Sequence, residues 1–177
     1  MTRIWDPLLR LFHWSLVISF AVAWIASDNA GAIHEWAGYS AAAIVGVRLI
    51  WGLVGPQYAR FRQFVKGPQT VIDYMKEMRD GREKRYLGHN PAGGAMVMAL
   101  LATLLATAGT GWLLTWPQYS ADDGLMSNLH GAIANIMMTL VLVHVGGVFL
   151  ASWRHKENLA RAMVTGDKRA AEPGDIA

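Results

Sequence analysis

Four long stretches with almost no charged side chains constrain this chain more than any other feature of its sequence. They cover about residues 11–27, 33–54, 92–116 and 129–153. As a helix, each is long enough to cross a hydrocarbon layer of about 30 Å, which takes about 20 residues. The third, AGGAMVMALLATLLATAGTGWLLTW, lacks the polar stripe that a helix of a soluble bundle carries. The sequence therefore predicts an all-α integral membrane protein, a four-helix bundle.

The basic residues are placed unevenly along the chain, and their placement predicts its orientation. The 16 Lys and Arg residues lie near the N-terminus, at 48–85 and at 154–169, whereas the loops 28–33 and 117–128 have aspartate as their only charged residue. Loops rich in Lys and Arg stay in the cytoplasm. We therefore expect both termini and the 55–90 loop to be cytoplasmic, in a multi-pass protein of a bacterial inner membrane. The net charge of +3 then reflects orientation, and nucleic acid is not an expected partner.

A length of 177 residues indicates a single domain. We assign residues 1–166 to a four-span domain with the cytoplasmic loop at 55–90. The remaining residues, 167–177, include the polar, proline-containing run AAEPGDIA, and we expect a disordered tail there.

Two local signals predict helix boundaries near the cytoplasmic loop. In GPQTVIDYMKEMRDG, Pro68 near the start and Gly81 near the end predict a short amphipathic helix. This helix lies either at the membrane surface or in an ordinary solvated connector. Further along, Asn90 and Pro91 have the residue types of a cap and a first-turn proline for the third span.

Histidine is the residue type that points to chemistry in this chain. An imidazole inside a membrane is costly and is usually functional, and four of the six histidines lie in or at the ends of spans: His13, His34, His130 and His144. The last two are 14 residues apart, which on a helix is about 21 Å and close to four full turns. They therefore lie on one face at different depths. For the other two histidines, His89 and His155, we expect solvated or capping roles.

The predicted topology sorts the membrane histidines into two pairs by depth. His13 and His144 fall in the cytoplasmic half, and His34 and His130 fall in the outer half. A haem iron takes one axial imidazole from each side, whereas a zinc pair on one helix would be only four residues apart. We therefore expect two haem b groups with these four residues as iron ligands. Both haems are expected to be non-covalent, because the chain has no cysteine for attachment, disulfides or iron–sulfur ligation.

Arg48 is the remaining candidate site residue. It follows His34 by 14 residues and so lies on the same face of the second span. A cation inside the membrane needs a partner, and the inner halves of the spans contain no Asp or Glu. A propionate of the inner haem would supply the negative charge. The alternative is that Arg48 extends to the cytoplasmic surface beside Trp51.

Several motifs together resemble a known family: WDPLLRLFHW, IHEWAGY, VRLIWG, YLGHNPAGG and LHGAIANIMMTLVLVH. The resemblance, over about residues 3–165, is to the bacterial di-haem cytochrome b-561 family and to the related cytochrome b subunits of membrane-bound nickel–iron hydrogenases. It implies a four-helix bundle with two b haems and electron transfer between the quinone pool and a redox partner. The four membrane histidines match the family's haem-ligand positions.

The predicted function is transmembrane electron transfer between ubiquinone or another quinone and a redox partner. We expect that partner to be a periplasmic c-type cytochrome or an oxidoreductase subunit, docked on outer loops where Asp122 and Asp123 would meet a basic surface. Whether the chain itself has quinone oxidoreductase activity stays open. The alternatives are a haem-containing membrane anchor of a larger oxidoreductase and, less favoured, a small proton or metal transporter, although broken helices and internal repeats are lacking.

Overall fold

Helices dominate the computed structural model, which describes residues 1–29, 31–120 and 124–177. The predicted docking aspartates, Asp122 and Asp123, lie outside the described residues. Two short 3₁₀ turns, at Ser27–Asn29 and Gln57–Ala59, join the larger elements. The elements in chain order are β1 (Thr2–Arg3), α1 (Pro7–Ile25), α2 (Ala32–Val54), α3 (Phe61–Phe64), α4 (Pro68–Arg79), α5 (Pro91–Leu114), α6 (Pro117–Ser120), α7 (Leu125–Arg154), α8 (Leu159–Thr165) and β2 (Asp167–Lys168).

Four of these helices, α1, α2, α5 and α7, are long and apolar enough to cross a membrane. The four spans predicted from the sequence are thereby confirmed. Many large apolar side chains on these helices are exposed, among them Ile18 at 62%, Leu142 at 64% and Phe149 at 71%. Such surfaces are unusual on a soluble monomer, and they suit helices that face lipid.

Polar caps set two of the span starts. In α1, the Asp6 Oδ1 atom accepts a hydrogen bond from the Leu9 amide at 3.0 Å, so the helix begins four residues before the apolar run. In α5, the Asn90 Oδ1 atom accepts from the Gly93 amide at 2.7 Å, and Pro91 occupies the first turn. The predicted Asn90–Pro91 cap is thus confirmed. Each cap supplies an acceptor for an amide that has no partner within its own helix.

The predicted helix in the 55–90 loop is confirmed as α4, Pro68–Arg79. Its proline stands at the first position, and Gly81 just beyond its end has a positive φ of 70°. Glycine adopts that conformation without the steric cost that other residues pay. The position of α4 at the membrane surface stays a prediction.

The chain divides into two compact units. The first unit comprises residues 1–10, 50–98 and 142–177, and the second comprises 11–49 and 99–141. In the first unit, β1 and β2 form a two-stranded antiparallel ribbon in which Thr2 pairs with Lys168. Beside it, apolar side chains from distant parts of the sequence form one buried cluster: Ile4, Trp5, Leu9, Ala59, Leu87 and Ala162.

The end of the chain differs from the sequence-based expectation. Residues 167–177, expected to be a disordered tail, instead contact the segment at 85–87. The amide of Leu87 donates to the Ile176 carbonyl at 2.8 Å, and the amide of Ile176 donates to the Arg85 carbonyl at 2.9 Å. The Lys168 ammonium, 4% exposed, donates to the Leu87 carbonyl at 3.0 Å. These long-range bonds order a segment whose composition alone favours disorder.

A buried ionic cluster reinforces that contact. The Arg85 guanidinium donates to Glu157 at 2.7 Å and to Asp175 at 2.5 Å, and Lys168 lies 3.4 Å from Glu157. All four side chains are at most 10% exposed. Burial alone would raise the pKa of Glu157, but the hydrogen bond from Arg85 and the charge of Lys168 lower it below its ordinary value. Removing one member would leave an unpaired buried charge, which is strongly destabilising.

The second unit contains segments of all four long helices. Its interior is built from buried apolar residues on α2, α5 and α7, of which Val45 has no exposed surface. The other buried apolar side chains there are Ala37, Ala41, Leu101, Leu104 and Met137. This four-helix unit holds the candidate site.

Candidate haem site

Two of the predicted ligands, His34 and His130, lie side by side in the second unit. His34 is in the first turn of α2, and His130 is in the second turn of α7. Their ring centres are 6.0 Å apart, and the ring planes are nearly perpendicular at 80°. The structure thus brings these two histidines together although they are 96 residues apart in the chain, and their role as a pair of iron ligands stays a prediction.

One nitrogen of His34 is engaged by the end of α1. The Nδ1 atom lies 2.8 Å from the carbonyl oxygen of Ala23. Ala23 is in the last turn of α1, where carbonyls have no partner within the helix. A carbonyl oxygen can only accept, so Nδ1 carries the hydrogen and Nε2 keeps its lone pair for a metal. A metal-ligating histidine usually has this arrangement, because the second bond fixes the tautomer and the ring orientation.

The corresponding partner of His130 is the hydroxyl of Thr110, on α5. The His130 Nδ1 atom lies 3.0 Å from Thr110 Oγ1. That hydroxyl is also 2.9 Å from the Ala106 carbonyl and 3.0 Å from the Thr107 carbonyl, both of which can only accept. Because the hydroxyl can give its hydrogen to a carbonyl, it can accept from Nδ1–H of His130, and the Thr107 carbonyl is a second acceptor for that ring. As in His34, Nε2 keeps the lone pair.

The sequence did not point to Thr110. The third span has no histidine, and each threonine of the series Thr103, Thr107 and Thr110 can bond a carbonyl of its own helix, as all three do. The sequence therefore cannot distinguish a threonine that contacts a site from one whose hydroxyl bonds only its own helix.

Glycines give the histidine rings room. A Cβ atom on Gly111 would lie 3.1 Å from Cε1 of His130, which is tighter than most real contacts, so glycine lets α5 approach the ring. Beside the histidines, a Cβ on Gly38 or Gly131 would meet no atom within 4 Å. Small residues therefore leave the helix surfaces near both histidines uncrowded.

The donor set fits a haem iron. A metal–imidazole bond of about 2 Å on each side places two ring centres about 6 Å apart, and the observed separation is 6.0 Å. Both Nδ1 atoms are engaged, so each ring has one nitrogen for the iron. Within residues 1–29, 31–120 and 124–177, no three His, Cys, Asp or Glu side chains cluster as a metal-ion site. A pair of imidazoles is what bis-histidine haem ligation requires.

The other candidate residues are divided between the two units. His13 and Arg48 belong to the second unit, and His144 belongs to the first. The ring of His13 meets Trp14 edge-on at 5.1 Å. Arg48 is buried, with 5% of its surface exposed. The pairing of His13 with His144, and the role of Arg48 beside them, stay predictions.

The two remaining histidines lie in the first unit. His89 was expected to be solvated or to cap a helix, but its ring packs between Trp5 and Phe64, with centres at 4.7 and 4.6 Å. It is half-buried and serves as a packing residue. His155 follows the end of α7, and burial lowers its pKa although Glu83 and Glu157 act in the opposite direction.

Four apolar spans and two adjacent histidines whose Nδ1 atoms are both engaged are typical of one class, the haem-binding helical proteins of membranes. A family model described as prokaryotic cytochrome b561 matches residues 4–166, and the chain belongs to that family. It is accordingly a multi-pass protein of the prokaryotic inner membrane that binds haem b and transfers electrons within the membrane. Comparison with curated proteins and with solved structures gave no significant match.

Proposed function

We propose that this protein carries electrons across the membrane through two non-covalent haem b groups, one in each leaflet. His34 and His130 would hold the outer haem, and His13 and His144 the inner one. The observation that carries the proposal is the His34–His130 pair, 6.0 Å apart with both Nδ1 atoms engaged. Two centres are needed because one haem does not bridge the hydrocarbon layer of about 30 Å.

The haem supplies the one-electron chemistry, and the protein supplies ligation, orientation and burial. The Ala23 carbonyl and the Thr110 hydroxyl hold the two outer imidazoles in one tautomer. By accepting the Nδ1 hydrogen, they also make each imidazole a more basic ligand. A more basic ligand favours the ferric state, so these two bonds would lower the potential of the outer haem.

Arg48 would bind a propionate of the inner haem. Its burial argues against the alternative in which the side chain reaches the cytoplasmic surface. The four spans contain one acidic residue, Glu35, and it stands in the first turn of α2, 13 residues before Arg48. A haem propionate is a carboxylate of the kind that a guanidinium binds in a bidentate way.

Electrons would pass between the quinone pool and a second redox protein. Ubiquinone or its quinol dissolves in the bilayer and can approach the exposed apolar faces of the spans. A periplasmic c-type cytochrome or an oxidoreductase subunit would exchange electrons at the outer side. The outer haem would be the closer of the two centres to that partner, because His34 and His130 stand at the outer ends of their helices in the predicted topology.

Haem content and ligand variants test the proposal. A pyridine haemochrome assay should give two haems per chain, all extractable with acidified acetone. His34→Ala and His130→Ala should deplete one spectral species, and His13→Ala and His144→Ala the other. His155→Gln, outside the spans, is the matched control and should keep both. A single haem per chain, or depletion of the same species by His13→Ala and His34→Ala, would contradict the assignment.

A further inference from the structure

A polar cavity in the first unit is not used by the electron-transfer proposal. It lies just beyond the end of α2, where the chain turns through Gln57–Ala59 and enters α3. Its volume is about 440 Å³. It is lined by two arginines and two glutamines: Gln57, Arg60, Arg62 and Gln63.

The charge in this cavity is positive and uncompensated. Among the described residues, neither Arg60 nor Arg62 forms an ion pair with a carboxylate. The sequence has no Asp or Glu between Glu35 and Asp73, so the two guanidinium groups also have no acidic residue near them along the chain. Several other basic side chains of the first unit, such as Arg85 and Arg154, have carboxylate partners. The cavity is thus set up for an anion from outside the chain.

Local contacts hold two of the lining side chains in place. Arg60 donates through Nε to the Gly55 carbonyl, which orients the guanidinium and leaves its terminal nitrogens as donors. The Gln63 amide packs against Gly88, where an added Cβ would lie 3.1 and 3.2 Å from the amide atoms. A ligand would therefore meet donors that are already positioned, which lowers the entropic cost of binding.

Apolar residues lead directly up to the cavity. Ile50, Leu53 and Val54, in the last turn and a half of α2, are 63%, 71% and 65% exposed. On a spanning helix these side chains face acyl chains, so the cavity that follows them lies at headgroup level. Basic pockets at this level are suited to anionic lipid headgroups.

We propose that this cavity is a phosphate-binding site, with Arg60 and Arg62 as the donors to the phosphate oxygens. An anionic phospholipid headgroup and free inorganic phosphate present the same chemistry. Arginine suits it because its planar fork donates two parallel hydrogen bonds to phosphate. The adjoining lipid-facing residues of α2 favour the phospholipid as the source, since its acyl chains would lie along them.

Native mass spectrometry of the delipidated haem-loaded protein tests the site. The probes are phosphatidylglycerol, zwitterionic phosphatidylcholine and inorganic phosphate, each added to the protein in a neutral detergent. We expect phosphatidylglycerol to bind, and the double variant R60Q/R62Q to weaken that binding roughly 30-fold, since two basic contacts are lost. R79Q/R82Q is the matched control: it removes the same charge from exposed residues of the same loop and should bind as the parent does.

The outcomes test first whether the site exists and then which source supplies the phosphate. Binding of inorganic phosphate with the same sensitivity to R60Q/R62Q, without binding of phosphatidylglycerol, would keep the site and overturn the lipid source. An equal loss of phosphatidylglycerol binding in the R79Q/R82Q control, or no loss of binding in R60Q/R62Q, would overturn the site. If the double variant loses haem, R62Q alone carries the test, because Arg62 is exposed and makes no hydrogen bond through its side chain within the described residues.

Discussion

Replacing Thr110 by valine should raise the midpoint potential of the haem held by His34 and His130. Valine keeps the shape of the side chain but removes the oxygen that lies 3.0 Å from Nδ1 of His130. Losing that acceptor leaves the ring with the Thr107 carbonyl and makes the imidazole of His130 a less basic ligand. A less basic ligand stabilises the ferric state less, so the equilibrium shifts toward the ferrous state and the potential rises.

The hydrogen bond limits the size of the shift. A bond of this kind contributes about 0.5–1.5 kcal/mol net, and one-electron potentials change by about 59 mV for each tenfold change in an equilibrium constant, or about 1.4 kcal/mol. If all of that free energy distinguished the two oxidation states, the rise would be about 20–60 mV. Loss of the orienting contact should also weaken haem binding by up to about tenfold. That is the lower end of the effect seen when a residue that hydrogen-bonds a metal ligand is removed.

A spectroelectrochemical titration of the purified protein measures the effect. Thr103→Val is the matched control, because it makes the same change on the same helix, and within the described residues the Thr103 hydroxyl bonds only the Ala99 carbonyl. We expect the control to match the parent and Thr110→Val to shift one of the two components. Full haem content with both potentials unchanged in Thr110→Val would refute the proposed role of this hydroxyl.

Three further predictions follow from the proposed site, the topology and the ionic cluster. Arg48→Gln should lower the midpoint potential of the inner haem in a redox titration and leave the outer haem unchanged. Arg48→Lys should give an intermediate potential, because lysine keeps the charge but lacks the bidentate guanidinium. An unchanged potential with full haem content would contradict the propionate contact. A cysteine at Ser120 should react with an impermeant reagent in intact cells, and one at Ser15 should not. The reverse pattern would overturn the predicted topology. Because ion pairing lowers the pKa of Glu157, its stabilising effect is present at neutral pH and is lost as the pH falls through the lowered value. The protection factors for amide hydrogen exchange in the 167–177 segment, corrected for the pH dependence of intrinsic exchange, should therefore fall as the pH drops through that lowered value. Unchanged protection would contradict the role of the cluster.

The sequence by itself determined the membrane class and several helix boundaries. Runs of this length with almost no charge indicate spans, because about 20 apolar residues cross the bilayer and a charge within it is costly. Boundaries such as Asn90–Pro91 and Pro68 were readable for a local reason, since a cap or a first-turn proline acts within a few residues of its own position. The family resemblance was readable from short motifs, and the family model confirms it.

The depth of a residue in the membrane can also be read from the sequence, and this is why His34 and His130 could be paired without the structure. Once the spans and their directions are assigned, the position of a residue along the membrane normal follows from a constant rise per residue. The same reasoning cannot reveal which face of a neighbouring helix meets a ring. Only the tertiary structure brings Thr110 and the Ala23 carbonyl to the two imidazoles.

The segment at 167–177 shows what only the tertiary structure could decide. Its composition is polar and predicts disorder, because it offers little apolar surface to offset the conformational entropy lost on ordering. The structure orders it through Arg85, Glu157, Lys168 and Asp175, and Arg85 is at least 72 residues from each of its two carboxylate partners. Charges so far apart in the chain give no local signal. They stabilise the segment only when folding brings them together and removes them from water in matched pairs.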